Sequence, residues 1–345
     1  MRFTQVLLTC VAAGVLAISG CKKQPASTGG GGKPVKTITI GLVAKSQSNA
    51  VFQAAYAGAK DAAKELGAKY NVNIVIDWQT PTDENAAKQA EAIDALTRKG
   101  VQGIAVSCSE ANTLTTAIDR AADAGVAVIC FDSDAPRSKR AYFYGTDDRV
   151  WGMTVMDELA KAMGEKGTIA ILAGNQSAPN LQARVQGVRE GLKKYPNMKE
   201  LNDDKGVFYH EETPEKAAQA VNDAQRANPT IGGWAMIGGW PLFTANALKW
   251  EPGTVKVVAV DALPQQLPYL KSGHVAVLLA QDCYGWGYKS VDMLLTKIVN
   301  GKDPEGMDSK STDPAKHRRV DPLAKITKDT ADEFGKNWDK WLGKK

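Results

Sequence analysis

Thr37-Ile38-Thr39-Ile40-Gly41-Leu42-Val43-Ala44, then an Ala- and Lys-rich stretch from Phe52 to Gly67, then Asn73-Ile74-Val75-Ile76-Asp77-Trp78, is the stretch whose reading decides the fold. A short β-branched run, a longer segment of helical period and a second β-branched run make one βαβ unit, the connection that parallel strands require. The alternation continues down the chain. Further strands are expected at Gly103–Ser107 and Ala127–Asp132, with helices at Asp83–Lys99 and Glu110–Ala124 and glycine stops at Gly67, Gly100 and Gly125. A second set follows, with strands at Thr168–Ala173, Gly206–Tyr209, Gly233–Ile237, Val255–Val260 and His274–Ala280. Its helices are expected at Val150–Met163, Leu181–Tyr195, Pro214–Ala227, Leu242–Trp250 and Leu263–Lys271. The fold class is therefore α/β, with two doubly wound parallel-sheet lobes built in succession. One more helix, Tyr284–Asn300, a Pro-, Asp- and Lys-rich stretch from Gly301 to Pro322, and an amphipathic end at Lys328–Leu342 suggest that the chain crosses back to the first lobe and then returns.

Before Thr37 the sequence reads differently. A charged start at Arg2, an apolar run from Val6 to Ile18, and Ser19-Gly20-Cys21 have the form of a lipoprotein signal ending in an acylatable cysteine. The apolar run is short of the roughly 20 residues a spanning helix needs. Residues 1–20 are expected to be removed and Cys21 to carry lipid, which puts the protein outside the cytoplasm, anchored to a bacterial membrane. Residues 21–36, with Gly29 to Gly32 and two prolines, read as a flexible linker.

Composition narrows the function mainly by exclusion. The formal charge of +5 comes from 43 basic and 38 acidic residues spread along 345 positions, without the basic and aromatic stripe of a nucleic-acid binder. Beyond Cys10 and Cys21, three cysteines remain, Cys108, Cys130 and Cys283, with no CxxC spacing. No essential disulfide is expected. His210-Glu211-Glu212-Thr213-Pro214 lacks the second histidine of a zinc protease helix, and there is no GxSxG elbow, phosphate loop or DxDxDG calcium loop. No catalytic residues, metal or cofactor are expected, and the chain reads as a binding protein rather than an enzyme.

Ligands of open α/β sheets sit beyond the carboxyl ends of the strands. In the first lobe those ends carry Lys45, Ser46, Gln47 and Asn49, then Ser107, then Asp132, Ser133 and Asp134. The second lobe contributes Asn175, Gln176, Gly238, Gly239, Trp240, Asp261 and Gln281. Carboxylates accept paired hydroxyl donors, amides donate and accept, and an aromatic ring covers the apolar face of a sugar. Each of these residues also has a plainer reading: Asn49 could cap the helix near Phe52, and Asp147 and Asp148 suit the cap of Val150–Met163. Lys45 is the least expected, because a lysine inside a cleft must find a carboxylate or a ligand oxygen.

Taken in order, these residues resemble the ribose/galactose-type periplasmic sugar-binding proteins that feed ABC transporters, over about residues 37–300. The likeness is carried by Thr37–Val43 with Asn49 and Phe52, by Gly103–Ser107, by Val126-Ala127-Val128-Ile129-Cys130-Phe131-Asp132-Ser133-Asp134, by Arg184 with Gly187, by Val257–Asp261 and by Gln281. It implies ligand-binding roles for Lys45, Asn49, Phe52, Ser107, Asp132, Asp134, Arg184, Trp240, Asp261 and Gln281. Trp240 and Ser107 stand where ribose binders carry asparagines, and Val51 where they carry the first of two stacking phenylalanines. Lys45 with Phe131–Asp134 is similar to autoinducer-2 and rhamnose-type binders, whose second-lobe Asp-Gln pair is not evident around Asn175–Asn180.

The resemblance further implies a type I periplasmic-binding-protein architecture with a hinge of three crossings, near Tyr144–Thr146, Gln281–Asp282 and Lys310–Pro322. The first lobe would comprise 37–145 and 282–315, the second 146–281 and 316–345. The implied ligand is a monosaccharide or related small polyhydroxylated molecule. The implied partner is the membrane permease of an ABC transporter, served by a monomer in the periplasm or at the cell surface. The rival reading is a ligand-sensing component for a chemoreceptor or sensor kinase, answering to a sugar or an autoinducer-2-like signal.

Overall fold

The structure, a computed structural model, describes residues 36–321 and 323–343. The expected signal, Cys21 and the linker up to residue 35 lie outside the described residues. In chain order the first half gives β1 (Thr37–Val43), α1 (Ala50–Tyr70), β2 (Asn73–Trp78), α2 (Ala86–Lys99), β3 (Gly103–Val106), α3 (Ala111–Asp123), β4 (Ala127–Phe131) and β5 (Tyr142–Gly145). The next elements are α4 (Asp148–Met163), β6 (Gly167–Ala173), α5 (Pro179–Leu192), β7 (Met198–Glu200), β8 (Val207–Tyr209), α6 (Pro214–Ala227), β9 (Ile231–Met236), β10 (Lys256–Val260), α7 (Leu267–Ser272) and β11 (Val277–Ala280). The chain ends with α8 (Cys283–Asn300), β12 (Arg318–Val320), β13 (Ala324–Ile326) and α9 (Ala331–Trp341).

Two sheets result. The first runs β2-β1-β3-β4-β5-β12, and every pairing in it is parallel. The second runs β7-β6-β9-β10-β11-β13, with β8 also paired to β6 and only β13 antiparallel. Strands covered by helices on both faces should be apolar throughout rather than alternating, and β3, β5 and β11 are buried at every residue. Three connections join the sheets: β5 to α4, β11 to α8, and β12 to β13. Each crossing passes beside the carboxyl ends of the strands, where the cleft lies.

Helix contacts on each lobe depend on glycine. A Cβ on Gly287 of α8 would run into the carbonyl of Ala55, and one on Gly58 of α1 into that of Tyr284. The α4–α5 pair is built the same way, with Gly152 against the Arg184 carbonyl and Gly187 against that of Arg149.

Several expectations are corrected. Helix α1 continues through Gly67 and stops at Asn71, which takes the left-handed conformation at φ 52°. Leu242–Trp250 is not an α-helix: Trp240–Phe243 form a single 3-10 turn, after which the Tyr269 hydroxyl accepts from Ala247 N at 2.8 Å. That amide is thereby withheld from a helix. The helix expected from Leu263 begins at Leu267, because the Gln266 side chain accepts from Leu263 N at 2.7 Å. Arg318–Val320 pair with Tyr142–Gly145 and belong to the first sheet rather than the second lobe. Cys108, Cys130 and Cys283 are free and buried, the first two with sulfurs 3.9 Å apart.

Candidate functional site

The cleft is assembled from strand ends of both sheets. Asp132 follows β4 on left-handed backbone (φ 57°), and Asp261 follows β10 at φ 93°. Aspartate tolerates this region better than most residues, yet two such positions facing one cleft represent stored strain of the kind that collects at binding sites. Both side chains are buried. Ser107, after β3, donates to Asp132 Oδ2 at 2.7 Å, and Lys45, after β1, stands 3.8 Å from the same oxygen. Asp261 accepts from Gly239 N at 2.8 Å and from Gln281 Nε2 at 2.6 Å. Burial pushes its carboxyl above the usual range, while Arg184 pulls it back.

Arg184 is fixed by three partners. Its Nε donates to Asp148 at 2.8 Å, and its terminal nitrogens donate to Ile237 O at 3.1 Å and Gln281 Oε1 at 2.7 Å. Burial pushes the Asp148 carboxyl up to about 6 against the pull of this guanidinium. The chain Arg184–Gln281–Asp261 is thus oriented before any ligand arrives. Lys45 is buried too, which by itself lowers an ammonium, but Asp132, Glu84 and Glu212 hold it above its ordinary value. Rings close the apolar sides: Phe52 lies 6.1 Å from Trp286, and Trp240 packs edge-on to His210 at 4.8 Å.

Of the residues expected from sequence, Lys45, Asn49, Phe52, Asp132, Arg184, Trp240, Asp261 and Gln281 line one inner chamber. Asn49 lines it while its side-chain oxygen also caps α1, accepting from Val51 N at 3.1 Å, so both readings of this residue apply. Two residues are not part of the lining. Ser107 sits behind Asp132 and orients it. Asp134 is held in a two-pronged ion pair with the buried Arg140, which ties down the loop after β4.

Sequence reasoning missed Asn180, Glu212 and Trp286, all of which line the chamber. Asn180 bridges the lobes, accepting from Lys45 Nζ at 3.3 Å and donating to Asp132 at 3.4 Å. Its signal was Pro179, a favoured first residue of a helix, which starts α5 two residues earlier than expected and places Asn180 in the first turn facing the cleft. Glu212 takes φ 52°, lies over Gly174 where a Cβ would collide with it, and accepts from Asn175 N at 2.8 Å. Asn175 in turn donates to Glu84 of the first lobe at 3.0 Å. Burial, then the Glu84 charge, pushes the Glu212 carboxyl up to about 8.

These cross-lobe bonds close the cleft. The inner chamber holds about 40 Å³, space for a few waters, and shares Asn49, Phe52 and Glu212 with a neighbouring cavity of about 320 Å³ also lined by Asp83, Glu84 and Glu211. Among the described residues no cluster of His, Cys, Asp or Glu is arranged to hold a metal ion.

Comparison with known proteins agrees with this geometry. The chain is 24% identical over 273 residues to the D-ribose/D-allose-binding protein of Pseudomonas aeruginosa, covering 77% of this chain and 83% of that one. It is also 24% identical over 274 residues to the D-allose-binding periplasmic protein of Escherichia coli, covering 76% and 85%. An ABC transporter solute-binding protein of Burkholderia graminis, solved in complex with D-arabinose, superposes with a TM-score of 0.74 at 26% identity, covering 86% of this chain and 98% of that one. A family model described as the periplasmic binding protein domain matches residues 40–303, a span that contains both sheets' principal strands and every residue of the inner chamber. With two parallel-sheet lobes, three crossings and a cleft lined from both sides, the chain belongs to the periplasmic binding protein domain family.

Proposed function

We propose that this protein captures a monosaccharide or similar polyhydroxylated ligand between its two lobes, outside the cytoplasm, and delivers it to the permease of an ABC transporter. The observation that carries this reading is the pair of buried aspartates, Asp132 from one lobe and Asp261 from the other, lining one chamber with Lys45, Asn180, Arg184 and Gln281. Carboxylates accept two hydroxyls each, the amides and cations supply donors to ring and hydroxyl oxygens, and Trp240 and Phe52 offer apolar faces. The named ligands of the relatives, ribose, allose and arabinose, are of this class.

The mechanism is closure. A ligand that touches both lobes stabilises the closed state by its differential contacts, and a membrane partner that reads the closed shape receives only loaded protein. The binding reading is supported by the two aspartates being held by fixed donors, Asp132 by Ser107 and Asp261 by Gly239 and Gln281. Lipid on Cys21 and the linker to residue 36 would keep the lobes near the permease while leaving them free to turn. Cys21→Ala should then release the protein from the membrane fraction without changing ligand affinity.

A thermal-shift screen over D-ribose, D-allose, D-galactose, D-arabinose and D-xylose tests the reading, since a ligand that binds only the folded chain raises its melting temperature. At least one sugar should raise it in a concentration-dependent way. A flat response to all, with turnover of an aryl glycoside instead, would replace the binding reading with an enzymatic one.

A further inference from the structure

Helix α9 lies outside the span matched by the family model, which ends at residue 303, yet it contacts both lobes. Its first turn sits on the second lobe: Ala331 is buried in the cluster of Leu267, Tyr269 and Leu270, and Asp332 pairs with Lys271. Its last turns sit on the first lobe, where Trp341 stacks on Tyr284 of α8 at 5.7 Å and 15°. Phe334, between them, packs against the clusters of both lobes. Trp338 is fully buried in the core cluster of the first lobe, which also takes in Leu263 of the second, and its ring meets Trp341 edge-on at 5.2 Å. Its indole N–H donates to the carbonyl of Ala262 at 2.9 Å, on the second lobe.

Ala262 is the residue after Asp261, and both stand on left-handed backbone, at φ 53° and 93°. Two consecutive non-glycine residues in that region persist only where their surroundings hold them. From within the second lobe, Gln266 holds the Leu263 amide and Gly239 and Gln281 hold the Asp261 carboxylate. The carbonyl between them is held by Trp338.

We propose that α9 is a strap across the two lobes and that Trp338 is a positioning residue, fixing the Asp261–Ala262 turn in its ligand-ready geometry only while the lobes are closed. When the lobes part, Trp338 cannot keep both its packing on Trp341, which is stacked on Tyr284 of the first lobe, and its bond to Ala262, so opening relaxes the turn that carries Asp261. This rests on the reading of Asp261 as a ligand residue, but the turn itself can be followed without any ligand.

The test is hydrogen exchange by mass spectrometry on the full chain and on Trp338→Phe, which keeps an aromatic ring but loses the N–H and part of the buried ring volume. Loss of one buried hydrogen bond of about 1 kcal/mol should speed exchange at Asp261 and Leu263 about fivefold to tenfold, while α5 exchanges as before. Affinity for whichever of D-ribose, D-allose, D-galactose or D-arabinose binds the wild type should fall by about the same factor. Trp341→Ala, which loosens the strap at its first-lobe end without touching Ala262, gives a second reading should Trp338→Phe unfold, with the same acceleration expected at 261–263. Unchanged exchange there in the folded variants would overturn the proposal, as would faster exchange with wild-type sugar affinity. If none of the four sugars binds wild type, the sugar reading fails while the exchange result still decides the strap.

Discussion

Three carboxylates of the cleft, Asp132, Asp261 and Glu212, share left-handed backbone, and their environments separate their roles. Asp132 and Asp261 face the inner chamber with donors fixed around them, so replacing either by alanine should weaken sugar binding by about 1–3 kcal/mol in a calorimetric titration. Asp134 differs, since its partner is Arg140: Asp134→Ala should leave affinity near wild type and lower the melting temperature instead. Glu212 is faced by Glu84, Lys45 and Asn175, with neutral His210 beside it, whose ring burial holds at about 4. Its carboxyl titrates at 4.5 when unperturbed and at about 8 when folded. The folded chain therefore holds this proton more tightly than the unfolded chain, and stability falls as pH rises from 4.5, with no further loss above about 8. Glu212→Gln removes the titration, so its melting temperature should gain on wild type steadily from about pH 5 to about pH 8. A constant difference across that range would refute the assignment. Asp132 and Asp261 were legible because a polar residue after an apolar run marks a strand end. Glu212 was not, because it follows β8, a strand of only three residues, and its significance comes from a residue of the opposite lobe.

Elements were legible where the hydrophobic period is strong and local. The βαβ order of both lobes follows from that period, as do α2, α6 and α8 to within a few residues. The misreadings have tertiary causes: Tyr269 and Asn222 take the backbone groups of Ala247, and Gln266 takes the amide that would have begun an earlier helix. Short edge strands such as β7 and β12 carry too few residues for a pattern, and β12 is defined by its partner β5. Helix pairs make a sharper prediction at this scale. Gly187 lies in α5 next to Arg184, and the approach of α4 leaves no space for a methyl group there. Gly187→Ala should destabilise the fold by about 1–3 kcal/mol in urea denaturation and weaken sugar binding as well, because α5 carries both Asn180 and Arg184. Gly287→Ala on the α1–α8 contact should cost a similar amount of stability and leave those two residues in place. Equal effects of the two variants on affinity would argue against α5 as the carrier of the site.

For the whole molecule, the governing fact is that two sheets meet at a chamber too small for a sugar while Lys45, Asn180, Asn175 and Glu84 bond across the lobes. A ligand must part the lobes, enter, and exchange these bonds for its own. The polar contacts that hold the cleft shut are then the ones that a hydroxylated ligand competes for, and affinity reports the difference between the two sets. Weakening the cross-lobe set should ease entry: Asn175→Ala, which removes a side chain outside the lining of the inner chamber and keeps the backbone amide that Glu212 accepts from, is expected to quicken association in stopped-flow fluorescence without lowering affinity. The two-lobe plan was legible in the sequence as two successive sets of strands and helices, whereas the degree of closure was not, because it depends on side chains far apart in the chain, 135 residues for Lys45 and Asn180 and 91 for Asn175 and Glu84. The central claim is that carboxylates from both lobes hold one sugar. Its most direct test is a calorimetric titration of the full chain, of Asp132→Ala and of Asp261→Ala with the monosaccharide panel. The account predicts one sugar bound per wild-type chain and affinity weakened about fivefold or more in each variant; no binding by any monosaccharide, or wild-type affinity in both variants, would contradict it.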